Sequence, residues 1–192
     1  MIFIQCSPNR TENATANRDS TTTGTLNNNT GDRAMRGKYL VTVAGCNDCH
    51  SPKTMTAQGP IPDQSKLLSG HPAEMGIPKF DVSLVGPGKF AMCTQDLTAW
   101  AGPWGISFPI NLTPDSATGI GGWSEETFVR ALKTGKHMGA AAGRPILPPM
   151  PWQDFSQMTD EDLRAVFTFL RTLTPVSNRV PDPVAFSDMG KK

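Results

Sequence analysis

Gly45-Cys46-Asn47-Asp48-Cys49-His50 is the stretch on which the reading of this chain turns. Two thiols three residues apart lie on one helical turn, so each can add to a vinyl group of a haem. The histidine beside the second thiol then falls under the iron and supplies the proximal ligand. Two other chemistries use paired thiols. A zinc site needs two further ligands at sensible spacing, and the remaining Cys6 and Cys93 are scattered. A redox dithiol sits in a strand–helix unit, which the surrounding pattern lacks. The stretch therefore predicts one covalent haem c held through Cys46, Cys49 and His50.

On the N-terminal side, helical patterning begins near Arg33, with Tyr39, Leu40, Val43 and Ala44 as its apolar face and Gly45 as its stop. Residues 7–33 carry Leu26 as the only large aliphatic side chain. Such a segment buries too little apolar surface to offset its ordering entropy, so it is expected to be disordered. As a flexible tether it would span about 30 Å. Met1-Ile2-Phe3-Ile4-Gln5-Cys6 is apolar yet too short for a secretory signal, and it reads as the end of one. No apolar run is long enough for a membrane-spanning helix.

On the C-terminal side, residues 51–110 show no sustained period and are rich in Pro and Gly. They predict a long irregular segment with one or two helical turns, packed as part of a haem-pocket wall. A helix is marked at 125–134, with Ser124 as N-cap, Gly135 as stop, and Trp123 and Phe128 as a hydrophobic staple. The clearest helix is 160–173, where Leu163, Val166, Phe167, Leu170 and Leu173 form one buried face. Thr159 and Asp162 make a capping-box pattern, Met158 and Leu163 a second staple, and Pro175 ends the helix. The pattern offers no convincing strand. Cys93 is most simply a buried small hydrophobe.

A six-coordinate haem also needs a distal ligand. Met150 lies in Leu147-Pro148-Pro149-Met150-Pro151-Trp152, where prolines stiffen the backbone and can hold a thioether in place. Met138 is its main rival, with His71 and an open site behind it. His137 reads as a cationic or hydrogen-bonding group near a helix C-terminus, and His71 as a turn residue in Gly70-His71-Pro72. Met158 is explained as a staple. Met35, Met55, Met75 and Met92 read as gap-fillers or solvent-facing residues.

The totals agree with a haem protein rather than a nucleic-acid binder. Lys and Arg number 18 against 17 Asp and Glu, so there is no strong charge to steer a polyanion. Only 38% of residues are hydrophobic, alongside 18 Gly and 17 Pro, and a large rigid cofactor would supply apolar material to such a core.

Four pieces carry a resemblance: Gly45–His50, Asn111-Leu112-Thr113-Pro114-Asp115 with Gly119–Trp123, Leu147–Pro151, and Met158–Leu163. Together they resemble the class I cytochrome c family, and more narrowly monohaem domains similar to the cytochrome subunits of periplasmic dehydrogenases. The likeness covers residues 33–175 and is weak over 55–105. It implies a mostly α-helical domain, 33–192, around one covalent haem, behind a 1–32 tail. It implies that the first and last helices cross, with Gly37 of the first against Phe167 or Phe169 of the last. It implies Met150 as distal ligand, and the Asn111–Pro114 loop with Trp123 near the haem propionates. On local grounds these last residues are a helix lead-in and a staple.

The implied role is one-electron transfer on the periplasmic side of a respiratory or dehydrogenase chain, as a carrier rather than an enzyme. The implied partner is a dehydrogenase or an oxidase. His/Met ligation favours reduced iron and a comparatively high potential. Cys6 loosely resembles the lipidated cysteine of bacterial lipoproteins, which would make the tail a membrane tether. The alternative is a haem enzyme or gas sensor with an open sixth site, and a third reading is a fixed structural subunit.

Overall fold

The computed structural model describes residues 30–191. Cys6 and the expected tether up to residue 29 lie outside the described residues, while residues 30–33, also expected in the tether, begin the first helix. Among the described residues there are five helices: α1 Thr30–Val43, α2 Cys46–His50, α3 Glu125–Thr134, α4 Trp152–Phe155 and α5 Asp160–Leu170. The domain is mostly helical, as expected.

α1 lies across α5, and the crossing is set by Gly37. A Cβ there would stand 1.9 Å from the Ala165 carbonyl oxygen and 2.8 Å from Phe169 Cβ. Only a residue without a side chain lets the two backbones come this close. Phe169 is thus the aromatic partner, whereas Phe167 turns to Phe128 at a ring separation of 5.4 Å. The buried face of α1 is Gly37, Leu40 and Val41, a helical i, i+3, i+4 set. Tyr39 and Val43, expected in that face, are 57% and 60% exposed. The residues set by the close approach decide the face, and Tyr39 instead lies beneath the Arg36 guanidinium.

α3 and α5 follow from their caps. Ser124 Oγ accepts from Thr127 N at 3.1 Å, and Thr159 Oγ1 accepts from Asp162 N at 3.1 Å. The Asp162 carboxylate receives Arg36 Nε of α1 at 3.0 Å, and Glu125 receives both Arg33 and Arg164. α5 ends at Leu170, three residues short of the expected 173. Leu40, Val41, Leu68, Ile120, Phe128, Ala165, Val166, Phe167 and Leu170 form the main core.

The 51–110 segment contains strands, which the sequence did not predict. β1 Lys53–Thr56 and β2 Gly59–Pro62 make an antiparallel hairpin, with Lys53 opposite Pro62. β3 Met92–Cys93, β4 Trp100–Gly102 and β5 Gly105–Ser107 form a second antiparallel sheet. These strands are two to four residues long, too short for an alternating pattern to show. A second core of Val85, Ala99, Ala101, Ile106 and Phe108 gathers Phe80, Met92, Val180, Val184 and Met189 around it. The C-terminal tail joins this unit through reciprocal bonds between Ile106 and Val184.

Candidate functional site

A cavity of about 360 Å³ opens between the two cores. That is within the range of pockets holding small molecules and cofactors, about 300–1,000 Å³. Its floor is α2, which presents Cys46, Cys49 and His50. The proline loop forms another part of the wall and contributes Met150 to the lining. Leu40, Phe128, Leu163 and Val166 extend the main core into one side; Trp100, Phe108 and Ile110 bring the 51–110 segment into another. That segment forms a wall, as expected.

His50 is held in one orientation. Its Nδ1 lies 2.9 Å from the Ile110 carbonyl oxygen, which can only accept, so Nδ1 carries the proton and Nε2 is left as a lone-pair donor. Gly70 makes this approach possible. Its N–H donates to His50 O at 2.7 Å, and a Cβ on it would sit 2.6 Å from Pro109 O. Burial pushes the His50 pKa down to about 4, so the imidazole is neutral at physiological pH. The surface it retains borders the cavity.

Burial likewise raises the Cys46 thiol to about 11 and moves Cys49 upward. Both are protonated thiols at neutral pH rather than thiolate nucleophiles. Among the described residues, no three His, Cys, Asp or Glu side chains gather into a metal-binding cluster, so the pair lacks the further ligands of a zinc site. An apolar chamber lined by two thiols, one oriented imidazole and a thioether matches the donor set of a haem c.

The other distal candidates separate by position. Met138 is 46% exposed and does not line the cavity. His71, expected in a turn, is fully buried instead. Its Nδ1 meets Thr98 Oγ1 at 2.9 Å, its Nε2 meets Gly76 O at 2.7 Å, and neither nitrogen is left for a metal. His137, expected as a cationic or hydrogen-bonding group, lies in the cavity wall edge-on to Trp123, and burial lowers its pKa below the ordinary value, which disfavours the cation. Met158, expected as a staple, packs against the main core and also lines the cavity.

Trp123 and Leu112 line the cavity too. Asn111 instead is buried and spends its amide on Thr113, Thr118 and the Val176 carbonyl. Cys93, expected to be buried, is exposed. On the edge strand β3, alternation turns Met92 inward and Cys93 out. Arg144, in Gly143-Arg144-Pro145, was missed by sequence reasoning and stands in the cavity wall. A cation in a Gly/Pro-flanked loop six residues before Met150 was the available signal.

The cytochrome c family model matches residues 34–174. The chain is 28% identical over 148 residues to the gluconate 2-dehydrogenase cytochrome c subunit of Pantoea cypripedii, covering 77% of this chain and 25% of that protein. It is 28% identical over 139 residues to the fructose dehydrogenase cytochrome subunit of Gluconobacter japonicus, covering 72% of this chain and 21% of that protein. It is 35% identical over 83 residues to the cytochrome c subunit of the quinone-dependent alcohol dehydrogenase of Gluconobacter oxydans, covering 42% of this chain and 17% of that protein. The chain therefore spans a quarter or less of each of these relatives. No helix among the described residues is long and apolar enough to cross a membrane. The family match runs from α1 through α5 and includes every cavity-lining residue named above: this chain belongs to the cytochrome c family, whose cofactor is haem c and whose role is to carry electrons.

Proposed function

We propose that the protein is a one-electron carrier with a single haem c, bound by thioether bonds to Cys46 and Cys49 and ligated by His50 and Met150. The observation that carries this reading is the meeting of all four side chains on one apolar cavity. The haem would supply the one-electron couple, and the protein supplies orientation and exclusion of water. The Nδ1–H bond to Ile110 O aims His50 Nε2 inward and raises its basicity as a ligand.

Met150 is held by its loop. Ser107 Oγ donates to Pro148 O at 2.5 Å, Trp152 N donates to Met150 O at 2.9 Å, and the flanking prolines limit the backbone further. The relatives' names support a place beside a dehydrogenase, which would donate electrons, with an oxidase or a second carrier accepting them. Such a chain would operate on the periplasmic side, and lipid on Cys6 would tether the domain to the membrane through the segment ahead of α1.

Two measurements test this. Acid–acetone extraction of the denatured protein should leave the haem on the polypeptide; colour in the solvent would refute thioether attachment. Met150→Ala should lower the reduction potential and admit added ligands to the iron, whereas Met138→Ala should do neither. Rapid carbon monoxide binding or steady peroxide turnover by the wild type would instead favour the open-site enzyme or sensor.

A further inference from the structure

A five-residue helix cannot hold itself together. Closing one turn fixes several dihedrals for very few hydrogen bonds, and its last carbonyls have no partner within the helix. α2 obtains its partners largely from one side chain. Lys53 Nζ donates to Asn47 O at 3.0 Å, to Asp48 O at 2.9 Å and to Ser51 O at 2.5 Å. An ammonium has three protons and accepts nothing, so these three bonds use all of them.

The surroundings complete the clamp. Gly70 N takes His50 O, and Ser51 Oγ donates to Asn47 Oδ1 while accepting from Leu68 N. Lys53 itself opens β1, whose pairing with β2 anchors its backbone. The side chain is half-buried, so its position is set by the fold rather than by solvent. Its charge also suits the place. The C-terminal end of a helix is the negative end of its dipole; burial pulls the Lys53 pKa below its ordinary value, and Asp96 and Asp48 oppose that by favouring the charged ammonium.

We propose that Lys53 is a positioning residue for the haem: its ammonium closes the attachment turn across three carbonyls and sets a fixed positive charge beside Cys49 and His50. The redox half of this rests on the haem reading above; the clamp does not. A fixed cation near the iron disfavours the more positive oxidised state, so it holds the reduction potential up. An ordinary solvated lysine would do neither.

The test compares Lys53→Met, Lys53→Gln and Lys53→Arg in the full chain. In Lys53→Met, amide hydrogen exchange across 46–51 should quicken by about tenfold or more as the turn loses its clamp. In the haem-loaded protein the midpoint potential should fall. Lys53→Arg keeps the charge and should return the potential close to wild type, with partial recovery of protection. Lys53→Gln, which keeps a donor without the charge, should lower the potential even if Lys53→Met fails to fold. Unchanged exchange and potential in the neutral variants would overturn the proposal. So would a potential in Lys53→Arg as low as in Lys53→Gln. If the wild type carried no covalent haem, the electron-carrier reading would fail, while the exchange measurements would still decide the clamp.

Discussion

The two sides of the cavity are built by different means. α1, α3 and α5 bury apolar side chains against one another, because each helix satisfies its own backbone. The 51–113 segment and the C-terminal tail have short strands and long irregular stretches. All eight buried polar side chains among the described residues lie there: Ser51, Ser69, His71, Thr98, Ser107, Asn111, Thr113 and Asn178. The reason is an accounting of backbone groups. A buried N–H or C=O without a helix or sheet partner must find a side chain. Among the described residues none of the buried side-chain polar atoms is unpaired. The helical side is therefore specified by shape, and the irregular side by hydrogen bonds.

If shape governs the helical side, Gly37→Val should be the most damaging single change. The new side chain would meet the Ala165 carbonyl oxygen, which cannot repack, and the loss should exceed about 4 kcal/mol in urea unfolding. A loss under about 1 kcal/mol would mean that α1 and α5 can separate without harm.

The matching test on the other side is Asn178→Leu, similar in volume but without the amide. Asn178 Nδ2 donates to Ser69 O and His71 O, and Oδ1 accepts from Ala73 N, across more than 100 residues of sequence. Orphaning these groups should cost about 3 kcal/mol, with less effect on the exchange protection of α5 than on that of residues 69–73. Equal loss of protection in both places would erase the distinction between the two sides.

His50 joins the two sides, since α2 donates from it to Ile110 O. In the haem-free chain its folded pKa is depressed, so below pH 6.5 the unfolded chain takes up a proton that the folded imidazole refuses until about 4. Stability must then fall as pH drops through that window, by about 2 kcal/mol between pH 7.5 and 5. His137, whose pKa is also lowered by burial, adds a contribution of the same sign. Urea midpoints flat across this range would show that His50 is not held neutral and buried.

Surface charge should matter least. Glu125 joins Arg33 of α1 to Arg164 of α5, yet all three are partly solvated, and Glu125→Gln should cost less than about 1 kcal/mol. A larger cost, measured in the same urea assay, would mean that ion pairing supports the helical side alongside its packing.

α3 and α5 were legible because their signals are local. Each N-cap oxygen finds its N–H three residues away, and each buried face repeats within one helix. The face of α1 departs from its apolar pattern at Tyr39 and Val43 because the close approach at Gly37, not hydrophobicity, sets which side turns inward. The cavity's paired thiols and histidine were legible for the same local reason, lying within one turn of helix. The strands, the burial of His71, the exposure of Cys93 and the clamp of Asn178 were not. The strands, with Cys93 on one of them, are too short for an alternating pattern to show, while His71 and Asn178 find partners far along the chain in Thr98 and Ser69.

By itself, then, the sequence determined the turn that carries Cys46, Cys49 and His50, the helices capped at Ser124 and Thr159, and the proline loop that carries Met150, since all of these are written within a few consecutive residues. Only the tertiary structure decided that Met150 faces the cavity while Met138 does not, that His71 is consumed by Thr98 and Gly76, and that Lys53 closes the turn. Those outcomes depend on how the chain closes on itself and which backbone groups are then left in need of a partner, and no local pattern of residue types encodes that need.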